Sequence, residues 1–445
     1  MSTHSQSGDD EDAPAGFLAA WARLVGPRGV PTLARRRGRK PRVPLTQVLP
    51  ALTFHVMQDA GTLAAHLFQL FRTPLTDSAW SDRRLRLPWE IFAELMRRAL
   101  RPRATPRQHR EAFWRGWRLV GLDGTQFSLI NTPQVTATVT KARTRRGRAA
   151  FAKITTAVLL EIGLHNPLAA AVGRQGESEW ALAQRLLAQL PKRAVLLGDR
   201  LYGVVAFAVV ARAACRRVGS EFLLRASRSV KPRLITRLPD GSRLVGLPVR
   251  APRNPSRIVE WLEVREIRVQ VRRAGARAHE LRLWTTLRDP RTAPALELAQ
   301  VYASRWEHEL YFREIKRQLR RSAVLQSHTV ETGAQEIAAI VLASAVIADE
   351  RARAATGHLP ALRVSFGQIL QVVRGMWLCL GPFDDILTDH QQTRVVRRGR
   401  ALIRRYVLAP RRPRTCARAV RQPVTKWPRL LKPQSIEAPW TLQLV

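Results

Sequence analysis

Apolar side chains return at three- and four-residue steps through Ala51–Phe71 and again through Leu87–Leu100, the period of an amphipathic helix. Residues 15–110 therefore read as a helical N-terminal region, and residues 1–14 before them as a polar, disordered tail. The period changes at Trp117. Arg118–Ile130, Ile154–Ile162 and Leu168–Val172 have the β-branched, apolar texture of strands. Glu177–Leu190 returns to helical spacing, Arg193–Leu197 is a short buried strand, Val204–Arg217 a helix and Glu221–Arg225 a strand. That order predicts a mixed α/β domain over residues 117–227. Residues 228–288 break the alternation with strand-like runs at Arg257–Val271 and Glu280–Leu287, a β-rich insertion. A long helix is predicted from Ala295 to Leu319, within a segment 289–345 that completes the α/β domain. Residues 346–410 read as helical, and 411–445 as a basic tail punctuated by proline.

Charge adds a partner to this picture. The chain holds 75 Lys and Arg against 34 Asp and Glu, a formal net charge of +41, which repels itself unless a polyanion neutralises it. Nucleic acid is the polyanion to consider first. With 45% hydrophobic residues and 12 tryptophans, the chain can build a core and is no mere basic tail. Cys215, Cys379 and Cys416 are scattered, which argues against a zinc module or a disulfide framework and suits a reducing cytoplasm. The start of the chain is acidic, unlike a signal peptide, and the longest apolar run, Ile337–Ala348, is shorter than the roughly 18 residues a membrane span needs. No membrane partner is expected. Two basic clusters are candidate phosphate contacts: Arg35, Arg36, Arg37, Arg39 and Lys40, kept out of helix by Gly38 and Pro41, and Lys141, Arg143, Arg145 and Arg146 between the first two strands. A solvated linker has the same composition as the first.

Three places carry acids in settings that suit chemistry. Asp123 closes an apolar run and precedes Gly124 and Thr125, as a metal-binding carboxylate at a sheet rim would, although an ordinary turn uses the same residues. Asp199 leaves a buried strand in Gly198-Asp199-Arg200-Leu201-Tyr202-Gly203, where either a functional carboxylate or the cap of the following helix fits. On the predicted long helix, Tyr302, Arg305, Glu309 and Lys316 fall within an arc of roughly 60° at the edge of an apolar stripe. An acid flanked by Arg, Lys and Tyr suits a metal and phosphate site, and surface ion pairs are the alternative. Glu307 and Glu314 lie off that stripe and read as surface charges.

Taken together, these residues resemble the DDE transposases of bacterial insertion sequences, in the insertion sequence four family. Tyr302, Arg305, Glu309 and Lys316 match its Tyr-x2-Arg-x3-Glu-x6-Lys motif at every position, and the Asp123 and Asp199 segments match its two earlier acidic motifs. The resemblance spans roughly residues 30–345 and includes the helical stretch Ser78–Leu100; beyond Ala345 nothing is matched.

What the resemblance implies is specific. The fold would be a ribonuclease-H-like catalytic core interrupted by the β-rich insertion, with helical regions at both ends. Asp123, Asp199 and Glu309 would hold two Mg²⁺ ions, with Mn²⁺ a possible substitute. Arg305 and Lys316 would grip phosphates beside the scissile bond, Tyr302 would add a hydrogen bond, and Trp284 would stack on a flipped base, a core tryptophan being the other reading. The partners would be double-stranded DNA, as terminal inverted repeats and as target, and a second copy of the chain in a synaptic homodimer at the nucleoid. A metal-dependent nuclease without strand transfer and a non-catalytic DNA-binding protein are the alternatives.

Overall fold

The computed structural model describes residues 16–32, 42–144, 147–272, 279–319, 322–355, 359–381, 386–409 and 441–444. The tail at 1–14, the cluster Arg35, Arg36, Arg37, Arg39 and Lys40, the pair Arg145 and Arg146, and most of the basic tail lie outside the described residues.

The elements follow in this order. Five helices come first: α1 (Phe17–Val25), α2 (Leu45–His55), α3 (Leu63–Phe71), α4 (Asp77–Leu85) and α5 (Trp89–Ala99). Then come β1 (Phe113–Trp114), β2 (Trp117–Ser128), α6 (Pro133–Thr138), β3 (Arg143–Thr144), β4 (Gly147–Arg148), β5 (Lys153–Glu161), β6 (Asn166–Val172) and α7 (Glu179–Leu186). After them run β7 (Ala194–Gly198), α8 (Val205–Val218), β8 (Glu221–Arg225), β9 (Arg233–Arg237), β10 (Arg243–Ala251), β11 (Asn254–Arg272) and β12 (His279–Thr285). The chain ends with α9 (Ala295–Ala303), α10 (Trp306–Glu314), α11 (Val330–Ala354), α12 (Phe366–Leu380), α13 (Asp389–Arg405) and β13 (Thr441–Leu444). The class is mixed α/β, as the alternation of periods predicts.

Two compact units divide these elements. The first comprises Met1–Gln189 and Glu307–Val407, the second Leu190–Trp306 and Leu408–Val445. In the first unit β1, β2, β5 and β6 form an antiparallel meander, with Val120–Ser128 of β2 paired against Lys153–Glu161 of β5. Arg115 and Gly116, both at positive φ, make the two-residue turn between β1 and β2. Helix α11 is the centre of this unit. Its 25 residues are apolar nearly all round because α1, α2, α5, α12 and β6 pack against it. By length and composition it could cross a membrane, but 89% of its apolar window is buried within the protein. A capping box, Thr329 with Thr332, starts it.

The second unit holds a sheet in the order β7-β8-β12-β11-β10-β9, with β13 paired to the far end of β11. β7 and β8 are parallel, joined by α8, and the other pairs are antiparallel. Helix α8 ends at Gly219, whose left-handed φ of 62° lets Ser220 donate back to the Cys215 carbonyl at 2.9 Å.

Three expectations need correction. The apolar run Ala51–Phe71 is two helices, because Gly61 at positive φ and the Thr62 cap, which accepts from the Ala65 amide, restart the chain at α3. The long helix predicted over Ala295–Leu319 also breaks. The Ser304 hydroxyl donates to the Val301 carbonyl at 2.6 Å, and the Arg305 amide donates to Tyr302, closing a turn between α9 and α10. The angular count from Tyr302 to Lys316 therefore does not hold. Finally, Asp123 lies within β2 and not at its end, since the strand continues to Ser128.

Candidate functional site

In the first unit the site is built on one face of β2. Side chains alternate along a strand, so Gly121, Asp123, Thr125 and Phe127 share a face. Helix α10 and the turn of π-helix after it, Ile315–Leu319, lie on that face. A Cβ placed on Gly121 would meet His308 Nδ1 at 2.8 Å, and the Lys316 ammonium sits 5.4 Å from the centre of the Phe127 ring. The helix thus runs along β2 from Gly121 to Phe127. Asp123 falls inside that stretch of strand, and Glu309, next to His308, inside that stretch of helix. Both carboxylates are half-buried. Asp123 accepts a hydrogen bond from the Gly124 amide at 2.8 Å. The glycine at 124 has a second use on the opposite face, where a Cβ would come within 2.2 Å of the Glu179 carboxyl carbon at the start of α7.

The helix carrying Glu309 is braced from within the unit. His165 is buried, in a left-handed backbone conformation (φ 53°), and bridges two acids: Nδ1 lies 2.7 Å from Glu314 and Nε2 3.1 Å from Glu307. Arg351 of α11 donates to the other Glu314 oxygen at 3.0 Å. Burial pushes the His165 imidazole down, but Glu314 and Glu307 outweigh it and hold the imidazole above its ordinary value. Burial likewise raises Glu314, yet Arg351 and His165 overcome it and bring the carboxyl to about 2. Glu307 and Glu314 are therefore not the surface charges their position off the stripe suggests. They are anchors of α10.

In the second unit Asp199 follows β7 directly, as the sequence predicts. Its carboxylate accepts from the Leu201 amide at 2.7 Å and so shapes the turn. It does not cap α8, whose cap residue is Val204, with no side-chain bond. The turn is pressed against β8: a Cβ on Gly203 would lie 1.7 Å from the Arg225 carbonyl oxygen, so only glycine fits there. Tyr302 is buried nearby and its phenol feels Asp199, Arg225 and Arg305, the last through a hydrogen bond. Burial pushes that phenol up to about 12. Arg225, at the end of β8, is close enough to act on that phenol and is not singled out by the sequence; a strand-end arginine in a chain so rich in arginine carries no signal by itself.

The remaining expected residues are placed as follows. Trp284 lies in β12, fully buried, with its indole N–H donating to Glu266 at 3.3 Å and the Arg282 guanidinium 5.6 Å from its ring. It is a core residue with no open face, and the stacking role is not supported. Lys141 is half-buried just before β3, and Arg143 lies in β3, a two-residue strand paired with β4.

As a metal site, the chemistry of the donors fits. Asp123, Asp199 and Glu309 are carboxylates, the hard oxygen donors that Mg²⁺ and Mn²⁺ take, and each is open enough to reach an ion. Among the described residues, no three His, Cys, Asp or Glu side chains are already gathered at metal-binding distance.

Comparison with known proteins bears on the family of the chain. The family described as Transposase DDE domain matches residues 118–345, a span that includes all three acids. The chain is 27% identical over 245 residues to Transposase InsG for insertion sequence element IS4 of Escherichia coli (strain K12), a match covering 54% of this chain and 52% of that one. It thus spans about half the length of that relative. Among solved structures, the piggyBac transposase synaptic complex with hairpin DNA is similar at a TM-score of 0.40 and 10% identity, covering 93% of this chain and 86% of the other. At that level the likeness adds nothing to the reading of the site.

Proposed function

The chain belongs to the DDE transposase family, and from that premise we propose that it binds the terminal inverted repeats of an insertion sequence, cuts them and joins them to target DNA in the presence of Mg²⁺. The observation that supports the proposal is the placement of α10 along the Asp123 face of β2, with Glu309 next to His308 on that helix. The reading includes a ribonuclease-H-like core, argued from the order of elements: three antiparallel strands, a helix, then a parallel strand pair joined by a helix.

Asp123, Asp199 and Glu309 would hold two Mg²⁺ ions. Bound there, the ions supply an activated oxygen nucleophile and stabilise the leaving oxygen of a phosphodiester. The protein's own groups do the rest. Arg305 and Lys316 hold phosphate oxygens of the reacting strand, and the bidentate fork of Arg305 sets its angle. Tyr302, with its phenol near 12, stays a neutral hydroxyl at pH 7, able to donate a hydrogen bond and unsuited to attack phosphorus itself. The nucleophiles are water, then the 3′-hydroxyl it releases. Pairing two ends would take two active sites, hence a homodimer on DNA, and such a reaction belongs at the nucleoid.

The test is a time course with purified protein, a labelled end duplex, supercoiled plasmid and Mg²⁺. The proposal expects nicked ends followed by end–plasmid joints. Cuts without joints would make the protein a nuclease, and bound but unchanged DNA a non-catalytic binder; either result overturns the proposal.

A further inference from the structure

Helix α13 lies outside residues 118–345, and its two faces differ in kind. Ile403 is fully buried, Val395 and Val396 pack on the core, and Gly399 lets α13 approach α12 closely: a Cβ there would lie 2.8 Å from the Met376 sulfur. At ~100° per residue Val396 and Ile403 point the same way, and Arg394, Arg398 and Arg405 point roughly opposite, within about 40° of one another. All three are exposed. The helix carries six arginines and one acid, Asp389 at its start. The arginines repel one another along a rigid rod, and a polyanion laid on them would relieve that repulsion.

Beside it opens a polar cleft of about 570 Å³ lined by Arg23, Arg103, Arg353, Arg397, Arg400 and Arg404 against two carboxylates, Asp349 and Glu350. Both carboxylates are already committed. Asp349 pairs with Arg103 and with Arg353 at 3.2 Å, and Glu350 with Arg23 at 2.8 Å and Arg400 at 3.2 Å. The cleft thus keeps an excess of cationic groups, and it continues the charge of the exposed stripe.

We propose that α13 and the adjoining cleft form a second DNA-binding surface, built outside residues 118–345, which takes the sugar–phosphate backbone of duplex DNA. The assignment rests on the reading of this protein as one that acts on DNA. Charge complementarity selects a polyanion, and dimensions favour a regular one. Arg394 to Arg405 spans roughly 16 Å of helix, against phosphates spaced at about 3.4 Å of axis per strand. The proposed contact is with phosphates, so it is independent of sequence and steeply dependent on salt.

The test compares Arg394→Gln/Arg398→Gln/Arg405→Gln with a control triple of scattered exposed arginines, Arg86→Gln/Arg107→Gln/Arg110→Gln. Both remove three charges, and thermal unfolding of each confirms an intact fold. Affinity for a random-sequence duplex is measured against ionic strength without divalent metal, so that no cleavage enters. The α13 triple should lower the log–log slope by about two to three, roughly one per lost phosphate contact, and the control by less than one. Equal slopes for the two triples would overturn the proposal, as would a loss confined to single-stranded RNA. Steep binding through α13 in a protein that never cuts DNA would leave this inference standing and remove the proposed function.

Discussion

The two units hold their acids by opposite means. Glu309 sits on a helix whose direction is set by long-range ionic contacts: Glu307 and Glu314 flank it in sequence, and both reach His165, a residue about 150 positions away at the turn between β5 and β6. Asp199 is held locally. Its carboxylate bonds to the amide two residues on, and the turn it shapes is locked by the contact of Gly203 with the Arg225 backbone. The first arrangement depends on charge and so on pH. The second depends on shape. Substitutions that exploit this difference should separate the units experimentally.

The largest effect belongs to the acids themselves. Asp123→Asn, Asp199→Asn and Glu309→Gln should each reduce end cleavage by at least about a thousandfold, roughly 4 kcal/mol in the barrier. Binding of end DNA should hold, since many arginines share it. Near-normal nicking by any of the three would remove that residue from the site.

Next comes shape in the second unit. Gly203→Ala would drive a methyl group into the Arg225 carbonyl, and the backbone must move, so a loss of about 3 kcal/mol or more of stability is expected. Gly124→Ala in the first unit meets only the end of the Glu179 side chain, which can swing aside, and should cost about half as much or less. Denaturant titrations of both variants measure this; equal losses would contradict the contrast between a backbone lock and a side-chain contact.

Charge in the first unit follows. Glu314→Gln leaves a buried imidazole and Arg351 short of their partner and should cost about 2–3 kcal/mol at neutral pH. The pH dependence has a definite sign. His165 is raised in the folded protein, so its contribution is complete below about 6.5 and fades as pH rises through the raised value. Glu314 is lowered to about 2, so its contribution is complete above the ordinary carboxylate range and fades as pH falls toward 2. His165→Gln should flatten the alkaline side of the stability profile. An unchanged profile would remove the ionic brace.

The smallest effect concerns phosphate grip. Arg305→Ala and Lys316→Ala should slow nicking about tenfold or more, near 1.4 kcal/mol, with little change in equilibrium binding. Arg317→Ala, exposed on the same π-helical turn as Lys316, is the control and should match the unaltered protein.

Much of this was legible in the residues, for reasons that can be named. β8 is read to the residue because its apolar run ends in charge at both sides, and β5 and β7 are read to within one residue at each end because buried strands are continuous apolar stretches. Asp199 at a strand end follows from the same reading. The break between α9 and α10 was not legible, since neither glycine nor proline marks it and a serine hydroxyl taking a carbonyl is invisible to periodicity. The burial of Glu307 and Glu314 was hidden for another reason: their partner, His165, is remote in sequence, and an acid off the apolar stripe looks solvated until that partner is known. Trp284 stayed open between two readings because an aromatic suited to stacking and one suited to a core are the same residue; the burial and the Glu266 and Arg282 contacts favour the core.

The central proposal is that Asp123, Asp199 and Glu309 hold the Mg²⁺ ions. The most direct measurement replaces Mg²⁺ with Fe²⁺ in the protein bound to end DNA, adds ascorbate and peroxide, and maps where the locally generated hydroxyl radicals break the polypeptide. The account predicts fragments ending near residues 123, 199 and 309, suppressed by excess Mg²⁺ and weakened by Asp123→Asn. Breaks at other positions, or breaks that neither Mg²⁺ nor Asp123→Asn suppresses, would contradict it.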